Sequence, residues 1–126
     1  MAFGLYLHIP YCLAKCRYCD FYSKGGSRGV PQEYVDALVR RMDDFRRQGL
    51  LPEHPDTVYF GGGTPSLLTP EQAARLISAA SPAPGAEVTL EANPETVDEA
   101  SLSGFLQAGV NRLSLGVQTA FDESLA

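Results

Sequence analysis

Four short stretches of alternating apolar and polar residues, separated by segments of helical period, constrain the fold of this chain more than any other feature. Residues 5–9 put Leu5, Leu7 and Ile9 on one face and Tyr6 and His8 on the other. Residues 57–60, 87–92 and 112–117 repeat the pattern, with Val58 and Phe60, Val88 and Leu90, and Leu113, Leu115 and Val117 on the apolar side. The first helix is expected to start near Pro31 and to carry Val35, Leu38, Val39, Met42 and Phe45 inward, with Gly49 as its stop and Asp43, Asp44, Arg46 and Arg47 mostly solvated. The second opens on a capping box at Thr69-Pro-Glu-Gln72 and carries Ala73, Leu76, Ile77 and Ala80. The third opens on a second box, from Thr96 to Glu99, carries Leu102, Phe105 and Leu106 inward, and stops at Gly109. Strands alternating with helices make this an α/β chain with a parallel sheet, either a barrel or an open sheet.

Strand parity chooses between the two. A sheet covered by helices on both sides has strands that are apolar on both faces. Here the second faces read Tyr6 and His8, Thr57 and Tyr59, Thr89 and Glu91, and Ser114, Gly116 and Gln118. One face packs on helices and the other lines a polar interior, which fits a barrel holding a ligand. In such barrels the site lies at the carboxyl ends of the strands. Four features fall there, one after each strand: a cysteine-bearing loop, Gly61-Gly62-Gly63, Glu91-Ala-Asn93-Pro94, and Gln118.

The loop after the first strand holds Cys12, Cys16 and Cys19, the only three cysteines in 126 residues. An odd number of thiols within eight residues is a poor disulfide framework and a good set of thiolate ligands. A structural zinc ion would need His8, His54 or an outside group as its fourth ligand. A 4Fe-4S cluster held by three thiolates would keep one iron open to a small molecule. Spacing alone leaves both open.

The other strand ends are read residue by residue. The three glycines let backbone N–H groups approach a ligand, or serve a turn of positive φ; with no Lys-Ser/Thr after them they form no phosphate loop. Glu91, a carboxylate on the polar face, needs either a structural partner such as Arg112 or a cationic ligand. Gln118 suits ribose hydroxyls, and Tyr18 either covers a cluster, stacks on a flat ring or packs the loop. His8 is read as an interior histidine rather than a ligand, and His54 as a loop residue.

Composition removes other classes. A net charge of −5 without a basic run argues against nucleic-acid binding. No window is long and apolar enough to span a membrane, and Met1-Ala-Phe-Gly4 lacks the basic start of a signal peptide. With reduced thiols, these point to the cytoplasm, with at most peripheral contact with a membrane.

Five motifs in order carry a family resemblance: Tyr6-Leu-His-Ile-Pro-Tyr-Cys12, Cys16-Arg-Tyr-Cys19-Asp-Phe21, Val58-Tyr-Phe-Gly-Gly-Gly-Thr-Pro-Ser66, Glu87-Val-Thr-Leu-Glu-Ala-Asn-Pro94 and Asn111-Arg-Leu-Ser-Leu-Gly-Val-Gln118. Together they resemble the radical S-adenosylmethionine superfamily, and within it the oxygen-independent coproporphyrinogen III oxidase-like group. The resemblance implies the amino-terminal part, about four βα units, of a partial TIM-type barrel, with residues 11–24 as its cluster loop. It implies that Cys12, Cys16 and Cys19 hold a 4Fe-4S cluster whose open iron binds S-adenosylmethionine, and that a reductant for the cluster starts cleavage of that cofactor to a 5′-deoxyadenosyl radical. By the same resemblance Tyr6 lies near the cluster and methionyl end, Gly62, Gly63 and Thr64 hold the methionyl amine and carboxylate, Glu91 contacts the methionyl end, Gln118 the ribose, and Tyr18 packs near the adenine.

One departure selects a branch. Porphyrinogen-oxidising members carry a further cysteine two residues after the third, where this chain has Phe21. Cys19-Asp-Phe21 is similar to the haem chaperone (HemW-like) branch, which binds haem and is associated with delivering it to respiratory haem proteins. The expected partners are therefore haem, or a porphyrinogen in the oxidase alternative, and a respiratory client. Full relatives carry further βα units and a carboxyl-terminal region, so the isolated chain is expected to be marginal or inactive, with an exposed sheet edge and apolar residues bare beneath absent helices.

Overall fold

The computed structural model describes residues 2–11, 29–94 and 96–115. Strand β1 (Gly4–Ile9) is followed by α1 (Gln32–Arg47), β2 (Thr57–Gly62), a short 3₁₀ turn (Pro65–Leu67), α2 (Pro70–Ala80), β3 (Glu87–Ala92), α3 (Glu99–Ala108) and β4 (Arg112–Leu115). The strands form one parallel sheet in the order β1-β2-β3-β4. Its register sets Tyr6 beside Tyr59, Tyr59 beside Thr89, and Glu91 beside Ser114.

The expected parity holds. Leu7, Ile9, Val58, Phe60, Val88 and Leu90 form one core with Val35 and Met42 of α1, Ala73, Leu76, Ile77 and Ala80 of α2, and Phe105 of α3. Tyr6, His8 and Thr57 on the opposite face are exposed, and Tyr59, Glu91 and Ser114 partly so. Thr89 is the exception on that face, being buried. On the edge strand β4, Leu113 and Leu115 are exposed despite their apolar parity, and with Leu106 at 65 % exposure they leave an apolar strip beside α3. The inward assignment of Leu106 is thereby corrected; among its stripe only Phe105 is fully buried.

The helix ends show where side chains override simple spacing. The Thr69 box forms as expected: its hydroxyl accepts from Gln72 N–H at 3.0 Å and the Gln72 side chain accepts from Thr69 N–H at 2.9 Å. Replacing Thr69 with alanine is expected to cost about 1 kcal/mol, read as a lowered denaturation midpoint. The box of α3 sits two residues later than expected, on Asp98 and Ser101 rather than Thr96 and Glu99. Thr96 instead donates to the Asn93 carbonyl and pairs with Ser66. The Ser101 backbone and hydroxyl hold the Asp98 carboxyl below the usual carboxylate range. A depressed carboxylate stabilises above its unfolded pKa and loses that contribution as pH falls through its folded value. Amides in the first turn of α3 should therefore lose exchange protection on acidification before those of α2.

Two residues of α1 depart from their assigned faces. Phe45 is 40 % exposed, with the Arg41 guanidinium 6.0 Å from its ring centroid. Arg46 is only partly solvated, because it donates to the carbonyls of Ala79 at 2.9 Å and Ala80 at 2.8 Å, capping the end of α2.

Candidate functional site

The polar face gathers its chemistry where β1, β2 and β3 end. Glu91 is held at both carboxylate oxygens: Tyr59 donates its phenol proton to Oε2 at 2.8 Å, and Gly62 N–H donates to Oε1 at 3.2 Å. Its structural partners are thus a phenol and a backbone amide, and not Arg112, which pairs with Glu87 at 3.5 Å. The bond to Glu91 raises the Tyr59 pKa above its ordinary value, with burial adding to the effect and a hydrogen bond with Ser114 opposing it. Near neutral pH the phenol therefore keeps its proton and donates it.

Tyr6 lies over this pair. Its ring stacks on Tyr59 with centroids 5.7 Å apart and planes 11° apart, and on His8 at 6.1 Å and 25°. Gly61 makes room for it, since a Cβ there would sit 2.4 Å from the Tyr6 hydroxyl. Tyr6 remains 55 % exposed, so its edge is open to a ligand. His8 is exposed as well, which corrects its reading as an interior histidine.

The glycines act differently from the simplest expectation. Gly62 adopts φ +118°, a region L side chains rarely enter, and its N–H is bound to Glu91. Gly63 N–H donates to the Ile9 carbonyl at 2.9 Å, and Thr64 N–H to the Tyr11 carbonyl at 2.6 Å. These three amides are spent within the chain, so they are not free donors for a ligand carboxylate or phosphate. Those of Gly63 and Thr64 clasp the end of β1 to the end of β2, and that of Gly62 holds Glu91 of β3. Tyr34 of α1 strengthens the clasp: its hydroxyl donates to the His8 carbonyl at 2.6 Å and its ring meets Tyr11 edge-on at 5.4 Å. Tyr11 is the residue before Cys12, so the chain leaves the clasp directly into the cysteine loop. Tyr34 stands four residues before Leu38, at the margin of the apolar stripe of α1, a spacing that marks it in the sequence.

Tyr6, Gly62, Gly63, Thr64 and Glu91 are thus brought together at one end of the sheet. Cys12, Cys16, Cys19, Tyr18 and Gln118 lie outside the described residues. Among the described residues no three metal-ligating side chains cluster. His54, assigned no role, has Nδ1 3.0 Å from the Ser81 carbonyl oxygen, on the loop beyond α2.

The family model of the radical SAM superfamily matches residues 6–126. The chain belongs to that superfamily. It is 41 % identical over 129 residues to the heme chaperone HemW of Escherichia coli (strain K12), covering 97 % of this chain and 33 % of that protein. It is 40 % identical over 130 residues to the mitochondrial radical S-adenosyl methionine domain-containing protein 1 of Bos taurus, covering 97 % of this chain and 28 % of that one. Among solved structures it superimposes with a TM-score of 0.71, at 28 % identity, on coproporphyrinogen III oxidase (HemN) from Escherichia coli, described as a radical SAM enzyme, covering 92 % of this chain and 28 % of that one. The chain spans about a third of the length of the heme chaperones it matches. Its four parallel strands correspond to the amino-terminal part of the radical SAM TIM-type fold. Membership in the radical SAM superfamily implies a 4Fe-4S cluster and S-adenosylmethionine as cofactors. No helix among the described residues is long and apolar enough to cross a membrane.

Proposed function

We propose that this chain is the cofactor-binding part of a haem chaperone that passes haem to respiratory haem proteins. The observation that carries the reading is Cys19-Asp-Phe21, where a porphyrinogen oxidase of this group has a further cysteine; identity of 41 % to a heme chaperone against 28 % to the oxidase supports it. In this reading Cys12, Cys16 and Cys19 hold the cluster, and S-adenosylmethionine contacts Tyr6, Gly62, Gly63, Thr64 and Glu91, with Tyr18 toward the adenine and Gln118 toward the ribose.

The polar end of the sheet suits that cofactor. Glu91 presents an anionic carboxylate, fixed at both oxygens, on the face opposite the core, which fits the methionyl ammonium. With the amides of Gly62, Gly63 and Thr64 committed, those residues would meet the ligand through their carbonyls or the Thr64 hydroxyl, groups that accept from an ammonium. Tyr6 offers a phenol and a ring edge beside them. When bound, the reduced cluster and S-adenosylmethionine supply radical chemistry; the residues described here bind, orient and neutralise the charge of the ligand.

Anoxic reconstitution of the full-length protein tests the proposal, followed by iron, sulfide and zinc analysis, haem titration and an assay for porphyrinogen decarboxylation. The expected result is iron with sulfide, saturable haem binding and no decarboxylation. Decarboxylation without haem binding would move the assignment to the oxidase, the reading that the structural likeness to HemN favours. Zinc without sulfide would instead favour a zinc-stabilised α/β module.

A further inference from the structure

Tyr59 carries a role beyond those assigned above. It sits mid-strand on β2, on the polar face, where its partners are Glu91, Ser114 and Tyr6. Its hydroxyl donates to Glu91 Oε2 on the neighbouring strand β3 at 2.8 Å. Its ring is clamped by Tyr6, nearly parallel at 5.7 Å. Gly61, two residues on, is what allows Tyr6 to lie there. A carboxylate accepts about four hydrogen bonds, and among the described residues Tyr59 and Gly62 take one on each oxygen, so with respect to those residues each oxygen of Glu91 keeps an acceptor position. A long glutamate side chain otherwise samples several rotamers, at an ordering cost paid on ligand binding.

We propose that Tyr59 is a positioning residue: clamped by Tyr6, it locks the Glu91 carboxylate in one orientation so that its remaining lone pairs receive the primary ammonium of an amino-acid-like ligand. The inference rests on the reading of Glu91 as a ligand contact. The phenol keeps its proton near neutral pH, so the lock holds there. Tyr59 does not touch the ligand; it acts by preorganising the group that does.

The test uses the full-length protein with its cluster reconstituted, and compares dissociation constants for S-adenosylmethionine and its analogue lacking the α-amino group. Glu91→Gln is expected to weaken S-adenosylmethionine roughly tenfold or more. Tyr59→Phe keeps the stacked ring and is expected to weaken it roughly fivefold. Two further readouts separate positioning from general damage. The Tyr59→Phe loss should vanish in the Glu91→Gln background, and it should vanish for the analogue without the amine. If Glu91→Gln weakens binding and Tyr59→Phe does not, the role of Tyr59 is overturned while the reading of Glu91 stands. If the Tyr59→Phe loss persists in the double variant or with the analogue, Tyr59 is a packing residue and the inference falls. If Glu91→Gln leaves affinity unchanged, the reading of Glu91 fails first and takes the inference with it.

Discussion

Replacing Phe60 with alanine is expected to destabilise the protein by about 3–5 kcal/mol. Phe60 lies mid-strand on β2, is fully buried, and points into the core shared by all three helices and the strands on either side. A close-packed core relaxes only in part around a removed ring, so both the lost burial and the cavity contribute. Against a total stability of about 5–15 kcal/mol for an ordinary domain, that loss is large enough to leave a substantial unfolded fraction on mild warming. The measurement is the denaturant midpoint, with an unchanged slope showing that the same surface is exposed on unfolding. A loss below about 1 kcal/mol would mean that the core rearranges far more freely than close packing permits.

Gly63→Val is the second substitution with a large expected effect, and it is expected to act through the proposed cluster loop rather than the core. A Cβ at Gly63 would lie 2.5 Å from the Tyr11 carbonyl oxygen and 3.0 Å from its carbon, both backbone atoms that no rotamer change can move aside. Relief requires parting the clasp between Ile9, Tyr11, Gly63 and Thr64. The stability cost is expected to be about 1–3 kcal/mol. The larger consequence is expected downstream, because the chain leaving Tyr11 carries Cys12, proposed above as a cluster ligand, and thiolates bind a cluster together only if their loop starts from the right place. After anoxic reconstitution the variant should keep its helical signal and lose most of its iron and sulfide. Gly85→Asn is the control, since nothing lies within 4 Å of a Cβ there and asparagine tolerates its φ of +79°. Full iron content in Gly63→Val would show that the clasp does not set the loop.

Much of this arrangement was legible in the chain. Two-residue alternation located every described strand to within a residue at its start, and it separated the face of Tyr6, Tyr59 and Glu91 from that of Leu7, Phe60 and Leu90 because a buried sheet face tolerates no charge. What stayed hidden depends on distances between segments far apart in sequence. Arg46 resembles any solvated arginine until α2 places its terminal carbonyls within reach, 33 and 34 residues away. Parity placed His8 on the polar face, but it gives direction and not depth, and the residue is exposed there. The glycines were seen to permit close approach; that the approaching group is the chain's own Tyr11 and Tyr6 could not be read from a run of three identical residues. The cap of α3 is expected at Thr96 from Glu99 three residues on, but in the fold the Thr96 hydroxyl pairs with Ser66 and Asp98 forms the box with Ser101.

The neighbour order β1-β2-β3-β4 bears on how the molecule is made. Among the described residues each strand after the first pairs with the one synthesised just before it, so none of the four must wait for a distant partner to leave the ribosome. Every newly emerged unit meets a template already in place, and the growing rim of the sheet is masked at the pace of translation.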